Sequence, residues 1–127
     1  MIDAAIVGLG RWGRNLVGSV QGKSDRLRFT RAVVRSFETH RGFAEESGLA
    51  LTDDIEELLA DHSVAAVVLA TPHSLHCEQI IAAASAGKHV LCEKPLTLTR
   101  AEAVRAIQAC EAAGVVLGVG ADKRFPV

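Results

Sequence analysis

Short apolar runs alternate along the chain with longer amphipathic stretches, and this strand-then-helix rhythm is what a parallel sheet built from βαβ crossovers produces. Ala4 to Gly8 (AAIVG) predicts the first strand, Trp12 to Gln21 a helix, and Leu27 to Arg35 (LRFTRAVVR) a second strand containing several β-branched residues. Thr39 to Ser47 reads as a short helix closed by Gly48, and Leu49 to Leu51 as a brief third strand. Asp53 with Glu56 three positions on has the capping-box pattern, which opens a helix over Asp54 to Ala60. Val64 to Ala70 (VAAVVLA) is apolar throughout rather than alternating, as a central parallel strand covered on both faces requires.

An Ala-rich helix follows over Ser74 to Ala86, stopped by Gly87, and His89 to Cys92 supplies another short strand. Thr99 with Glu102 caps a helix that runs to Ala113 before Gly114, and Val115 to Val119 makes the sixth strand. The expected fold class is therefore α/β, a doubly wound parallel sheet. In such open sheets the loops at the carboxyl ends of the strands hold the ligands. All three prolines, Pro72, Pro95 and Pro126, fall just beyond predicted strand ends.

Composition narrows the class without changing it. The chain has 127 residues, of which 49% are hydrophobic, 23% charged and 4% aromatic, the profile of one ordinary globular domain. At this size roughly two thirds of the unfolded chain's surface can be buried, so no disulfide or metal staple is needed. Fourteen Lys and Arg against fifteen Asp and Glu give a net charge of -1, with no basic face for phosphate neutralisation, so no nucleic-acid partner is expected. The longest uninterrupted apolar run, Val64 to Ala70, is far below the ~20 residues of a membrane span. The N-terminus (MIDAAIVGLG) lacks a basic leader, and the expectation is a cytoplasmic protein with no membrane partner. Cys77, Cys92 and Cys110 are odd in number and widely spaced, and read as reduced, buried thiols rather than a disulfide framework.

Gly8-Leu9-Gly10-Arg11-Trp12-Gly13 matches G-x-G-x-x-G between a predicted strand and a predicted helix. Gly8 allows the tight turn, Gly10 lets the backbone approach a pyrophosphate, and Gly13 lets the helix pack closely on the strand. The helix N-terminus then offers unpaired N–H groups to the phosphates, with Arg11 and Trp12 among the expected cofactor contacts. Trp12, the sole tryptophan, either lies against the cofactor or closes the helix–sheet packing. No G-K-S/T follows, which excludes a Walker A loop, and the expected sheet is that of a Rossmann dinucleotide-binding domain.

At the end of the second strand an acidic residue ~20 positions beyond the glycines normally accepts hydrogen bonds from the adenosine ribose. Arg35 and Ser36 stand there instead. An arginine beside a hydroxyl suits a 2′-phosphate, and Arg41 or His40 could add charge, which favours NADP over NAD. In the alternative reading Arg35 is a solvated charge and Glu38 serves the ribose.

Thr71-Pro72-His73-Ser74-Leu75-His76 follows the fourth strand and Cys92-Glu93-Lys94-Pro95-Leu96 the fifth. T-P-x-x-x-H and E-K-P in these places resemble the glucose–fructose oxidoreductase, inositol dehydrogenase and MocA family of NAD(P)-dependent oxidoreductases. Gly118 to Phe125 (GVGADKRF) is similar to that family's G-x-N-x-R-F segment, with Asp122 where Asn is usual. The resemblance implies a nucleotide domain over residues 1–120, with 121–127 opening the connection to a substrate domain that this chain lacks.

It also implies that Thr71, Pro72, His76, Glu93 and Lys94 line the cofactor loops, with Pro95 shaping the second of them. Lys94 would assist proton transfer at a sugar, cyclitol or related hydroxyl-bearing carbon beside the nicotinamide. A partly desolvated ammonium can polarise a carbonyl that receives hydride; the alternative is a solvated loop cation. A non-catalytic NADP(H)-binding sensor or subunit is the rival function. His73, His76 and Cys77 do not match an established zinc spacing, so no metal is expected, and His76 reads as a helix-start histidine packed near the cofactor loop. Apolar surface near Val119 to Phe125, left open without a substrate domain, leads to the expectation of a homo-oligomer.

Overall fold

The computed structural model describes residues 1–72, 75–92 and 99–119. Six strands, β1 (Ile2–Val7), β2 (Leu27–Val33), β3 (Ala50–Thr52), β4 (Ala66–Leu69), β5 (His89–Cys92) and β6 (Leu117–Val119), form one sheet in the order β3-β2-β1-β4-β5-β6. Every adjacent pair is parallel. The connections are α1 (Arg11–Val20), α2 (Phe37–Ser47), α3 (Ile55–Leu59), α4 (His76–Ser85) and α5 (Arg100–Ala113). Chain order reverses between β1 and β4, whose last residues Val7 and Leu69 lie side by side. The crevice at such a reversal is where open α/β sheets bind ligands.

The two-residue strand period explains why helices cover both faces. Ala4 and Ile6 of β1 join Val68, Phe29 and Ala32 in a buried cluster with Leu9, Val17 and Ala44, under α1 and α2. Ala5 and Val7 point the other way, with Val67, Leu69 and Val90, into a cluster with Leu58, Ile80, Ala83 and Ala106 from α3, α4 and α5. The uninterrupted apolar run around β4 therefore serves both clusters. Among the described residues no helix is long and apolar enough to cross a membrane. Cys77, Cys92 and Cys110 are buried thiols outside any disulfide.

Several boundaries differ from the sequence expectation for local reasons. The cap of α3 is Asp54 rather than Asp53: its carboxylate accepts from the Glu56 N–H at 2.9 Å. Thr52 fixes that choice, its Oγ1 accepting from the Asp54 N–H at 3.2 Å and donating to Glu57 at 3.1 Å. β2 stops at Val33 because its neighbours β1 and β3 end opposite it, at Val7 and Thr52. β6 starts at Leu117 because the two preceding N–H groups are used elsewhere, Val115 on the Cys110 carbonyl and Val116 on His89 Nδ1. The Thr99 cap of α5 forms as expected, accepting from the Glu102 N–H at 3.1 Å.

Candidate cofactor site

The site is built at the carboxyl end of β1. Gly8 leaves the strand with φ at +99°, a conformation that L side chains rarely adopt, and a Cβ there would stand 2.8 Å from the Ala70 carbonyl oxygen. A Cβ on Gly13 would overlap the Gly8 carbonyl oxygen itself. These two glycines let α1 lie directly on the turn. Gly10 differs: its φ of -70° suits any residue, and a Cβ there would meet no atom of the described residues within 4 Å. The absence of a side chain at Gly10 is therefore not required by the protein's own packing.

Gly10 is also the N-cap of α1, with no side-chain cap, and the first turn holds no acidic residue. Uncapped N–H groups at a helix start attract anions. Arg11 and Arg14 both lie in that turn, against the helix dipole, an arrangement costing about 0.3–1 kcal/mol per charge unless an anion lies nearby. The Trp12 indole nitrogen is buried with no acceptor among the described residues. An open cradle, unused donors and unopposed positive charge fit the pyrophosphate of a dinucleotide.

At the end of β4, Thr71 is half-buried and its hydroxyl donates to Gln79 Oε1 at 2.6 Å, while Pro72 is exposed. His76, expected among the cofactor contacts, has no solvent-exposed surface. Its Nε2 lies 2.9 Å from the Thr71 carbonyl oxygen and its Nδ1 3.0 Å from Cys92 Sγ. A carbonyl only accepts, so Nε2 donates to it. The ring thus ties the end of β4 to the end of β5 from inside. His73, Glu93, Lys94 and Pro95 lie outside the described residues. Among the described residues no group of three or more His, Cys, Asp or Glu side chains is arranged to hold a metal ion.

Beyond β2, Arg35 and Ser36 are both exposed, and the Ser36 hydroxyl meets Thr39 Oγ1 at 3.1 Å. Arg41 pairs with Glu38 at 2.9 Å, so its charge is shared. His40 accepts at Nδ1 from Arg14 Nη2, 2.9 Å away. Burial, and then the Arg14 charge, hold its pKa below the ordinary histidine value. His40 is thus a neutral acceptor at neutral pH, rather than the added positive charge its sequence position suggested.

Sequence reasoning passed over Arg14. Its Nε donates to the Leu9 carbonyl within the glycine turn and its Nη2 to the Thr39 carbonyl, each at 3.2 Å. Its guanidinium carbon stands 5.0 Å from the Phe43 ring centre. The available signal was a cation early in a helix that lacks an N-terminal acid.

Strand order, the glycine turn and the open helix start define a dinucleotide-binding Rossmann domain. Residues 2–121 match the oxidoreductase family with an NAD-binding Rossmann fold, and the chain belongs to that family, the one its T-P-x-x-x-H and E-K-P segments resemble. It is 35% identical to scyllo-inositol 2-dehydrogenase (NAD(+)) of Bacillus subtilis across 98% of this chain and 36% of that protein. It is 46% identical to 1,5-anhydro-D-fructose reductase of Ensifer adhaerens across 65% of this chain and 25% of that protein. The 3-ketoreductase KijD10 of Actinomadura kijaniata, solved with NADP and TDP-benzene, superposes with a TM-score of 0.86 at 29% identity, over 93% of this chain and 36% of that one. The chain thus spans between 25% and 36% of the length of these relatives.

Proposed function

We propose that this chain is the dinucleotide-binding domain of an oxidoreductase that moves hydride to or from a sugar, cyclitol or related carbon, and that it prefers NADP to NAD. The observation that carries the reading is the empty space at Gly10 above an uncapped α1. Relatives named for an inositol and an anhydro sugar support the substrate class. The coenzyme preference rests on Arg35 and Ser36, because a guanidinium beside a hydroxyl binds a 2′-phosphate with charge-assisted hydrogen bonds. No acid stands at either position to accept from a free ribose 2′-hydroxyl.

When bound, the nicotinamide supplies or takes the hydride; the protein binds, orients and handles the proton. The N–H groups of the glycine turn and α1 would hold the pyrophosphate, with Arg11 and the Trp12 N–H as further donors. Thr71, whose Cγ2 would stand 3.4 Å from a Cβ on Gly8, borders the turn, and Pro72 follows it in sequence. Lys94, in the E-K-P segment, polarises the substrate oxygen and carries its proton at Nζ.

Trp12 is the sole tryptophan, so quenching of its emission gives a direct titration. NADPH should bind about 10-fold or more tightly than NADH, the scale of one charge-assisted contact. Equal affinities overturn the preference, and no binding of either overturns the domain's role.

A further inference from the structure

We propose that Arg14 is a positioning residue that sets the separation between the pyrophosphate turn and the adenosine end of the cofactor site, an inference that rests on the dinucleotide reading above. Its side chain is the described polar link between the two segments. Nε holds the Leu9 carbonyl, between Gly8 and Gly10, while Nη2 holds the Thr39 carbonyl and His40 Nδ1 in the first turn of α2. These partners lie 5, 25 and 26 positions away in sequence.

The planar guanidinium suits this task. Its donors point in fixed directions, so bonds made at one edge constrain the groups bonded at the other, which a lysine ammonium does not do. Phe43, from the second turn of α2, lies against the group and limits its rotation. Among the described residues no carboxylate pairs with Arg14. Its hydrogen bonds instead go to two carbonyls and a neutral imidazole, which fix the guanidinium between the two segments.

On the α2 side, Thr39 also takes the Ser36 hydroxyl contact, next to Arg35. The segment proposed to grip the 2′-phosphate is thereby tied through Thr39 to the glycine turn. A dinucleotide must engage both places at once, and the gain from doing so depends on their spacing being right before binding. Loosening that spacing weakens the intact cofactor while leaving each half-site nearly as it was.

The test compares Arg14→Met, Arg14→Lys and His40→Leu with the wild-type chain, titrating each with NADPH, 2′-AMP and inorganic pyrophosphate. Arg14→Met should bind NADPH about 10-fold or more weakly, with 2′-AMP and pyrophosphate each changed less than about 2-fold. Arg14→Lys should behave like Arg14→Met because the fork is lost, and His40→Leu should show the same split to a smaller degree. The His40 variant carries the test should both Arg14 variants fail to fold. Equal losses for NADPH and a fragment, unchanged NADPH binding, or full recovery with lysine would each overturn the proposal. If the wild-type chain binds no dinucleotide, the reading beneath it fails first, and that result is distinct from a variant that binds as the wild type does.

Discussion

Gly10→Ala and Gly13→Ala, three positions apart in one turn, should fail in opposite ways. At Gly13 the added Cβ overlaps the Gly8 carbonyl oxygen, and the Ala70 Cβ stands 3.5 Å off, so α1 must shift away from β1 and β4. Forced overpacking of this kind costs about 1–3 kcal/mol or more. For a domain of this size about 2 kcal/mol corresponds to a melting temperature lower by roughly 8 °C. At Gly10 the new methyl meets no atom of the described residues within 4 Å and φ is already -70°. A loss of about 0.5–1 kcal/mol from a poorer N-cap is offset by a similar gain from restricting the unfolded chain. The melting temperature should stay within a few degrees. The methyl instead occupies the space assigned to the pyrophosphate, and loss of one charge-assisted N–H contact, about 1.5–3 kcal/mol, lowers NADPH affinity roughly 10- to 100-fold. Thermal melts and Trp12 quenching on the same preparations separate the two effects. Wild-type NADPH affinity in a folded Gly10→Ala, or an unchanged melting temperature in Gly13→Ala, would refute the assignment of these glycines.

Two further outcomes follow from histidines. His76→Ala removes the partner of the Thr71 carbonyl and the Cys92 thiol and leaves a cavity among buried residues, so it should cost about 2–4 kcal/mol; a melt like the wild type would count against the internal tie between β4 and β5. His40 binds a proton less readily folded than unfolded, since burial and Arg14 lower its pKa below 6.5. Its contribution is present above that value and is lost as pH falls through the depressed folded pKa, because the unfolded chain then takes up the proton first. Melts from pH 7.5 down to pH 5 should show a shallower acid decline in His40→Gln than in the wild type, and parallel declines would refute the coupling.

What could be read from the sequence was what depends on near neighbours. Strand and helix order followed from period, and the helix stops at Gly48 and Gly114 are left-handed residues with φ of 73° and 70°. The capping of α5 followed from Thr99 and Glu102, three positions apart. The capping of α3 did not follow from Asp53, because a Thr52 side chain engaged with Glu57 moved the cap one residue on. His76 opens α4 beside the Thr71 loop, but its partner across the sheet could not be read from spacing. Its position after T-P pointed to a loop contact, while its ring turned inward to Cys92, 16 residues away, a pairing that no period encodes.

Arg14 shows where a local rule still carries information about such distant pairings. Its partners in α2 cannot be read from spacing, but its charge stands in the turn of α1 where the dipole disfavours it, and Arg11 stands there too. Two such violations in one helix start require a compensating interaction. The structure divides it: Arg11 is exposed at the open turn, whereas Arg14 is folded inward onto two carbonyls and His40. One arginine is therefore placed to meet a ligand directly and the other to fix the distance between the two ends that the ligand must span. Charge against a helix dipole is in this chain the sequence-level mark of both tasks, and the fragment titrations distinguish them, since removing Arg11 should weaken pyrophosphate itself whereas removing Arg14 should not.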